Sequence, residues 1–245
     1  MKILTFSDYD EASRKTAEFI VDFVNNKPDA LLSFPAGHTS LGTFKYLAGY
    51  AAQGKADFNR CTFVGLDEWV GLGKNDEGSC EGFMYKNLFK PLNINPKNIV
   101  FFDANADDLG QECQRMDSFI RKNEAIDLML LGAGMNGHLG LNEPGISPDL
   151  HSHVTELDPL TKVVGQKYFE KPVKLEKGIT LGLKTIMETR TVVLQITGSN
   201  KAEIARKIVN GGITTDVPAS ILKNHSNAYL FLDSDAASLL KSGCV

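Results

Sequence analysis

The chain has 245 residues, 42% of them hydrophobic and 23% charged, which supplies one sizeable core and excludes a largely disordered protein. Its formal net charge is −4, from 26 basic and 30 acidic side chains with no Lys/Arg block, which argues against nucleic acid or a polybasic membrane anchor as partner. The four cysteines (Cys61, Cys80, Cys113, Cys244) form no C-x-x-C pair, so reduced thiols in a cytoplasm are expected. No stretch approaches the roughly 18 apolar residues of a membrane span, and the first apolar run is too short for a signal-peptide core.

In chain order, Met1–Phe6 is predicted as a strand and Asp10–Asn25 as a helix, with Ala12, Thr16, Phe19, Ile20 and Phe23 near the helical period. Ala30–Phe34 is a second strand, followed by Pro35-Ala-Gly37 and a helix from Ser40 to Gln53. Cys61–Leu66 reads as a strand, Ser79–Leu88 as a helix, Ile99–Phe102 as a strand and Asp107–Asn123 as a helix with an acidic cap. Ile126–Leu131 is a strand whose unbroken Leu128–Leu131 run marks burial on both faces. Ile179–Leu183 begins a helix or turn, Thr191–Ile196 is a strand, Lys201–Val209 a helix and Ala228–Leu232 the last strand. Short strands separated by helices imply βαβ units. The expected fold is α/β: a single doubly wound, mostly parallel sheet with helices on both faces (Rossmann-like), undivided over residues 1–245. Ligands of such sheets bind beyond the carboxyl ends of the strands, which directs attention to four loops.

Phe34-Pro-Ala-Gly-His-Thr-Ser-Leu-Gly42 places a glycine and hydroxyls before a helix, suiting either an anion or simple capping by Thr39 or Ser40. Gly65-Leu-Asp-Glu-Trp-Val-Gly71 sets two carboxylates after a strand. Asp67 and Glu68 point to opposite sides of an extended chain, so at most one faces the cleft; the alternative is a solvated acidic turn. In Leu131–Gly145, His138 sits where packing does not demand it, with Glu143 near enough to orient it, the pairing used for proton transfer near neutral pH. In Thr197-Gly-Ser-Asn-Lys-Ala202, Lys201 opens a helix where the macrodipole disfavours a cation, so it is either solvated or offset by an anion.

Together, Leu32–Lys45, Phe63–Gly71, Ser79-Cys-Glu-Gly-Phe-Met84, Gly137-His-Leu-Gly-Leu-Asn-Glu-Pro-Gly145 and Thr197–Ala202 resemble the glucosamine-6-phosphate deaminase (isomerase) family, in order and spacing, over about residues 1–235. The resemblance implies that Asp67 is the general base between C2 and C1, that His138 opens the pyranose ring and that Glu143 orients it, with Asn136 beside them. It implies that Lys201, Lys167 and the turn Ala36, Gly37, His38, Thr39 hold a 6-phosphate. The products are then a ketose 6-phosphate and ammonia, with no metal or organic cofactor. The residue types suit this chemistry, since a desolvated carboxylate can serve as the base and a remote phosphate supplies orienting energy. The expected class is a hydrolase or isomerase of carbohydrate metabolism: a cytoplasmic amino-sugar 6-phosphate deaminase with a small-molecule partner, no nucleic acid, no membrane, and room for a homo-oligomer.

The chain departs from the family's pattern at Asn136, where many members carry aspartate. It departs again at Ala36-Gly-His-Thr-Ser40, in place of Thr-Gly-Ser-Thr-Pro, and at Lys167, which keeps an arginine's charge without its bidentate fork. These departures leave the C4 configuration open, so galactosamine 6-phosphate giving tagatose 6-phosphate stands beside glucosamine 6-phosphate giving fructose 6-phosphate. A 6-phosphogluconolactonase lacks the Asn142–Gly145 box. The sugar-phosphate-sensing domains of transcription regulators carry a helix-turn-helix ahead of the fold, which here starts at Met1. The basic pair that allosteric members use for an N-acetylated sugar phosphate falls at His153 and Thr155.

Overall fold

In chain order the computed structural model, which describes residues 1–240, runs β1 (Lys2–Phe6), α1 (Tyr9–Asn26), β2 (Leu31–Ser33), α2 (Leu41–Ala52), β3 (Thr62–Val64), β4 (Asp67–Trp69), α3 (Cys80–Met84), β5 (Ile99–Val100) and α4 (Leu109–Lys122). It continues through β6 (Leu128–Gly132), β7 (His153–Glu156), α5 (Pro159–Gly165), β8 (Lys177–Thr180), α6 (Leu183–Glu188), β9 (Thr191–Ile196), α7 (Ala202–Asn210), β10 (Ala228–Asp233) and α8 (Ser234–Ala237). Seven strands form one sheet in the order β1-β10-β9-β6-β2-β3-β5, every pairing parallel. β4, β8 and β7 form a second, antiparallel sheet.

The central strand β6 shows how sequence dictates this layering. Leu128, Met129, Leu130 and Leu131 are all 0% exposed. Leu128 and Leu130 share a core with Ile20 and Val24 of α1 and Phe44 of α2, while Met129 and Leu131 share another with Met116 of α4, Ile186 of α6 and Ile208 of α7. The period-2 alternation of a strand thus feeds two helix layers, each buried aliphatic side chain adding roughly 1.5–3 kcal/mol. Local chemistry starts the helices: the Asp8 side chain accepts the Glu11 N–H at α1, and Asp108 accepts those of Gly110 and Gln111 at α4. From β2 the chain moves outward to β3 and β5, whereas from β6 it moves the other way to β9 and β10. The neighbours β2 and β6 therefore mark a reversal, where loops leaving the carboxyl ends diverge and open a crevice.

The α/β expectation holds, with the main sheet wholly parallel. Three local readings change. Asp67–Trp69, for which a solvated turn is the alternative, is a strand, paired with a segment read as the start of a helix or turn, which is instead strand β8 followed by α6. These strands are too short to show a period, and long-range pairing makes them. The reading of Ser79–Leu88 as one helix gives way to α3 and a π-wound stretch, Tyr85–Phe89. Residues 159–165, without a predicted element, form α5, begun by Asp158, whose side chain accepts the Leu160 N–H at 2.8 Å, and by Pro159 in the first turn. Cys61, Cys80 and Cys113 are free and buried; Cys244 lies outside the described residues.

Candidate active site

Loops after β2, β3, β6 and β9 meet α5 around one cleft at the reversal. Every residue that the resemblance assigns to substrate or catalysis lines it except Glu143, which stands behind His138. The carboxylate of Glu143 accepts from the Asn136 amide at 3.0 Å and faces His138 Nδ1 at 3.1 Å, while Asn136 Oδ1 accepts the His138 N–H at 3.2 Å. A proton on Nδ1 pointing at the carboxylate leaves Nε2 as the basic nitrogen of the neutral ring. Burial pushes the Glu143 carboxyl up, but bonds from His138 and Asn136 outweigh it and hold the group below the usual range. Gly134 permits the ring to sit there, since a Cβ at that position would lie 2.4 Å from His138 Nε2. Asn142 fixes the loop from below, donating to Leu139 O at 2.7 Å and Leu181 O at 2.8 Å.

Asp67 and Glu68 diverge as strand geometry requires, and they lie in a short strand rather than a solvated turn. Asp67 lines the cleft, whereas Glu68 is 1% exposed behind it. Glu68 accepts from Trp69 N, Cys80 N and Glu81 N, each at 2.9 Å, and from Ser79 Oγ at 3.1 Å. Desolvation first, and then the neighbouring Glu68 charge, push the Asp67 carboxyl up to about 7, against a hydrogen bond from Cys80. A carboxylate so placed is a base matched to neutral pH.

Another part of the cleft is cationic. Lys201 Nζ donates to Ala133 O at 2.7 Å, and desolvation with the charge of Lys167 lowers its ammonium to about 8. Desolvation also lowers Lys167. His38 stacks on Tyr168 with ring centroids 5.3 Å apart, and desolvation followed by Lys167 lowers its imidazolium. Neither Thr39 nor Ser40 caps a helix: the Ser40 hydroxyl turns back to Pro35 O and Gly37 O. Sequence reading missed Thr161, Tyr168, Cys80 and Gln195 as cleft-lining groups. A Thr-x-x-x-Gly spacing in a short helix and a glutamine inside a strand carry no motif, so only the fold reveals them. Among the described residues no group of three or more His, Cys, Asp or Glu is placed to hold a metal ion, and no helix is long and apolar enough to cross a membrane.

Fold and cleft together define an α/β acid–base enzyme with a cationic ligand end. Residues 8–231 match the family model of glucosamine-6-phosphate isomerases/6-phosphogluconolactonase, and the chain belongs to that family. It is 38% identical over 241 residues to a glucosamine-6-phosphate deaminase of Clostridium novyi (strain NT), covering 98% of this chain and 100% of that one. It superposes on a solved monomeric glucosamine-6-phosphate deaminase with a TM-score of 0.94 at 35% identity, over 98% of this chain and 100% of the other. Against a 6-phosphogluconolactonase from Trypanosoma brucei the TM-score is 0.77 at 18% identity, over 98% of each chain, a likeness of fold alone. The expectation of a hydrolase is corrected by these findings: the relatives of substantial identity are deaminases, and the lactonase shares only the fold.

Proposed function

We propose that this protein converts glucosamine 6-phosphate to fructose 6-phosphate and ammonia. The observation that carries the reading is one cleft holding a histidine–glutamate pair, a carboxylate poised near pH 7 and two lysines. The names of the relatives support the gluco substrate. Lys201, Lys167 and the Ala36–Thr39 turn grip the phosphate and fix the sugar's orientation. His138 Nε2 moves the proton that opens the ring at O5, and Glu143 stabilises the imidazolium while it exists. Asp67 takes the C2 proton and returns it to C1 while O1 gains a proton and the amine loses one, leaving an imine at C2; water adds there and ammonia leaves, so the ketone oxygen comes from water. Asn136 holds the His138–Glu143 pair in register.

A cytoplasmic site of action belongs to the same proposal, supported by the buried free thiols, as does one domain over residues 1–245, supported by the extent of the family match. Incubation of purified protein with glucosamine 6-phosphate and galactosamine 6-phosphate, with ammonia as readout, tests the function. Release from the gluco epimer is expected. Release from the galacto epimer alone, or from neither, overturns the reading.

A further inference from the structure

We propose that Thr161 is a positioning residue for ring opening, placed by α5 against His138 so that the segment gripping the phosphate also sets the histidine. The inference rests on the proposed function and adds a residue and a coupling to it.

Thr161 Oγ1 lies 3.2 Å from His138 Nδ1, beside the Glu143 oxygen 3.1 Å from the same nitrogen. The Nδ1 proton therefore has two acceptors, one from the β6 loop and one from α5. Thr161 and Glu143 are each 5% exposed, so water does not compete for that proton. The Thr161 hydroxyl is also among the groups that hold the Glu143 carboxyl ionised, and Glu143 Oε1 has no hydrogen-bond partner of its own. Rotation of the imidazole would break contacts to two nearly buried groups, where each unmet polar group is costly.

The same segment continues from Thr161 to Lys167 and Tyr168, both lining the cleft. Its far end is closed by a reciprocal pair: Gln166 Nε2 donates to Val173 O at 2.8 Å, and Val173 N donates to Gln166 Oε1 at 3.0 Å. Beyond it, Glu170 N donates to Glu77 Oε1 at 2.6 Å. A phosphate drawn onto Lys167 thus tightens the element that carries Thr161. Binding energy from the non-reacting end of the sugar is then expressed as histidine alignment at the reacting end.

The test compares Thr161→Val, which keeps the shape and removes the hydroxyl, with Thr161→Ser, which keeps the hydroxyl. The valine variant is expected to lose about tenfold or more in kcat, with KM for glucosamine 6-phosphate within about twofold of wild type. The serine variant should recover most of kcat. In the free protein, the His138 Hδ1 resonance should shift in Thr161→Val and stay in place in Thr161→Ser, at unchanged melting temperature. Wild-type kcat in the valine variant, a loss carried by KM alone, or no recovery with serine overturns the proposal. Absence of ammonia from the wild type would sink the proposed function instead, while the resonance still reports on the Thr161–His138 contact.

Discussion

The two ends of the cleft are finished to different degrees. At the chemistry end, each acid–base group has partners within the protein: His138 and Asn136 on Glu143, Cys80 on Asp67, and four donors on Glu68. At the anion end, desolvation and then the charge of Lys167 depress Lys201, desolvation also lowers Lys167, and no carboxylate contributes to either shift. The first end is preorganised, with its dipoles fixed before substrate arrives. The second holds cations without a carboxylate partner, as the proposed binding of a sugar phosphate requires. Substitutions at the first should therefore act on kcat, and at the second on KM.

The sharpest break of this contrast is Asp67→Asn. It preserves shape and hydrogen bonding but removes proton acceptance, so turnover should fall by ~10²–10⁴-fold or more while substrate still binds. Exchange of the C2 proton in D₂O, followed by NMR, should vanish although ring opening persists. Exchange at close to the wild-type rate would reassign the base, with Glu143 next in line. Glu68→Gln extends the test to the buried neighbour. Four donors converge on that carboxylate at 1% exposure, and an amide turns a donor of its own toward some of them. A loss of ~1–3 kcal/mol is expected, read as a lower melting temperature, together with reduced turnover. An unchanged melting temperature would show that Glu68 does not hold the Ser79–Glu81 segment.

Much of this was legible in the sequence, for identifiable reasons. The Leu128–Leu131 run and the glycine-bracketed His138 loop announce themselves because buried parallel strands and tight turns restrict composition. The role of Glu68 was not legible, since an Asp-Glu pair looks alike whether solvated or buried; only the return of residues 79–81 to its oxygens decides it. α5 escaped for a similar reason. Its seven residues show no clear period, with Val163 72% exposed, and tertiary packing places it: a Cβ at Gly165 would lie 2.8 Å from Leu175 Cδ1 and 3.4 Å from Trp69 Cη2.

At the anion end, Lys201→Ala should raise KM for glucosamine 6-phosphate by roughly 10–150-fold, the worth of a charged hydrogen bond of ~1.5–3 kcal/mol, with kcat far less affected. A kcat loss at unchanged KM would erase the distinction between the ends. The pH profile of kcat/KM separates them in one experiment. Asp67 acts ionised, so activity should fall as pH drops through about 7; the groups around it are Glu68, Cys80 and Tyr168. Lys201 binds as the ammonium, so activity should fall as pH rises through about 8, mainly through KM. Lys201→Ala should abolish the upper limb and keep the lower one. Loss of both limbs together would mean that a single coupled group governs the profile.

The smallest expected effect is none at all, and it concerns the region outside both ends. The resemblance places the effector-binding pair of allosteric relatives at His153 and Thr155, here on β7. His153 Nδ1 faces His151 O at 3.0 Å, and the Thr155 hydroxyl donates to Glu156 O at 3.2 Å, so each side chain is turned to its own backbone. Glu156 stands beside them, ion-paired to Lys177 at 3.3 Å. A phosphate arriving there would meet no lysine or arginine from this pair and would lie next to a carboxylate, whereas phosphate capture needs charge-assisted donors. Initial rates against glucosamine 6-phosphate should therefore be hyperbolic and unmoved by N-acetylglucosamine 6-phosphate at concentrations below those that compete in the cleft. Sigmoidal rates relieved by that compound would show a second anion site, and Thr155→Ala with His153→Ala would then reveal whether β7 holds it.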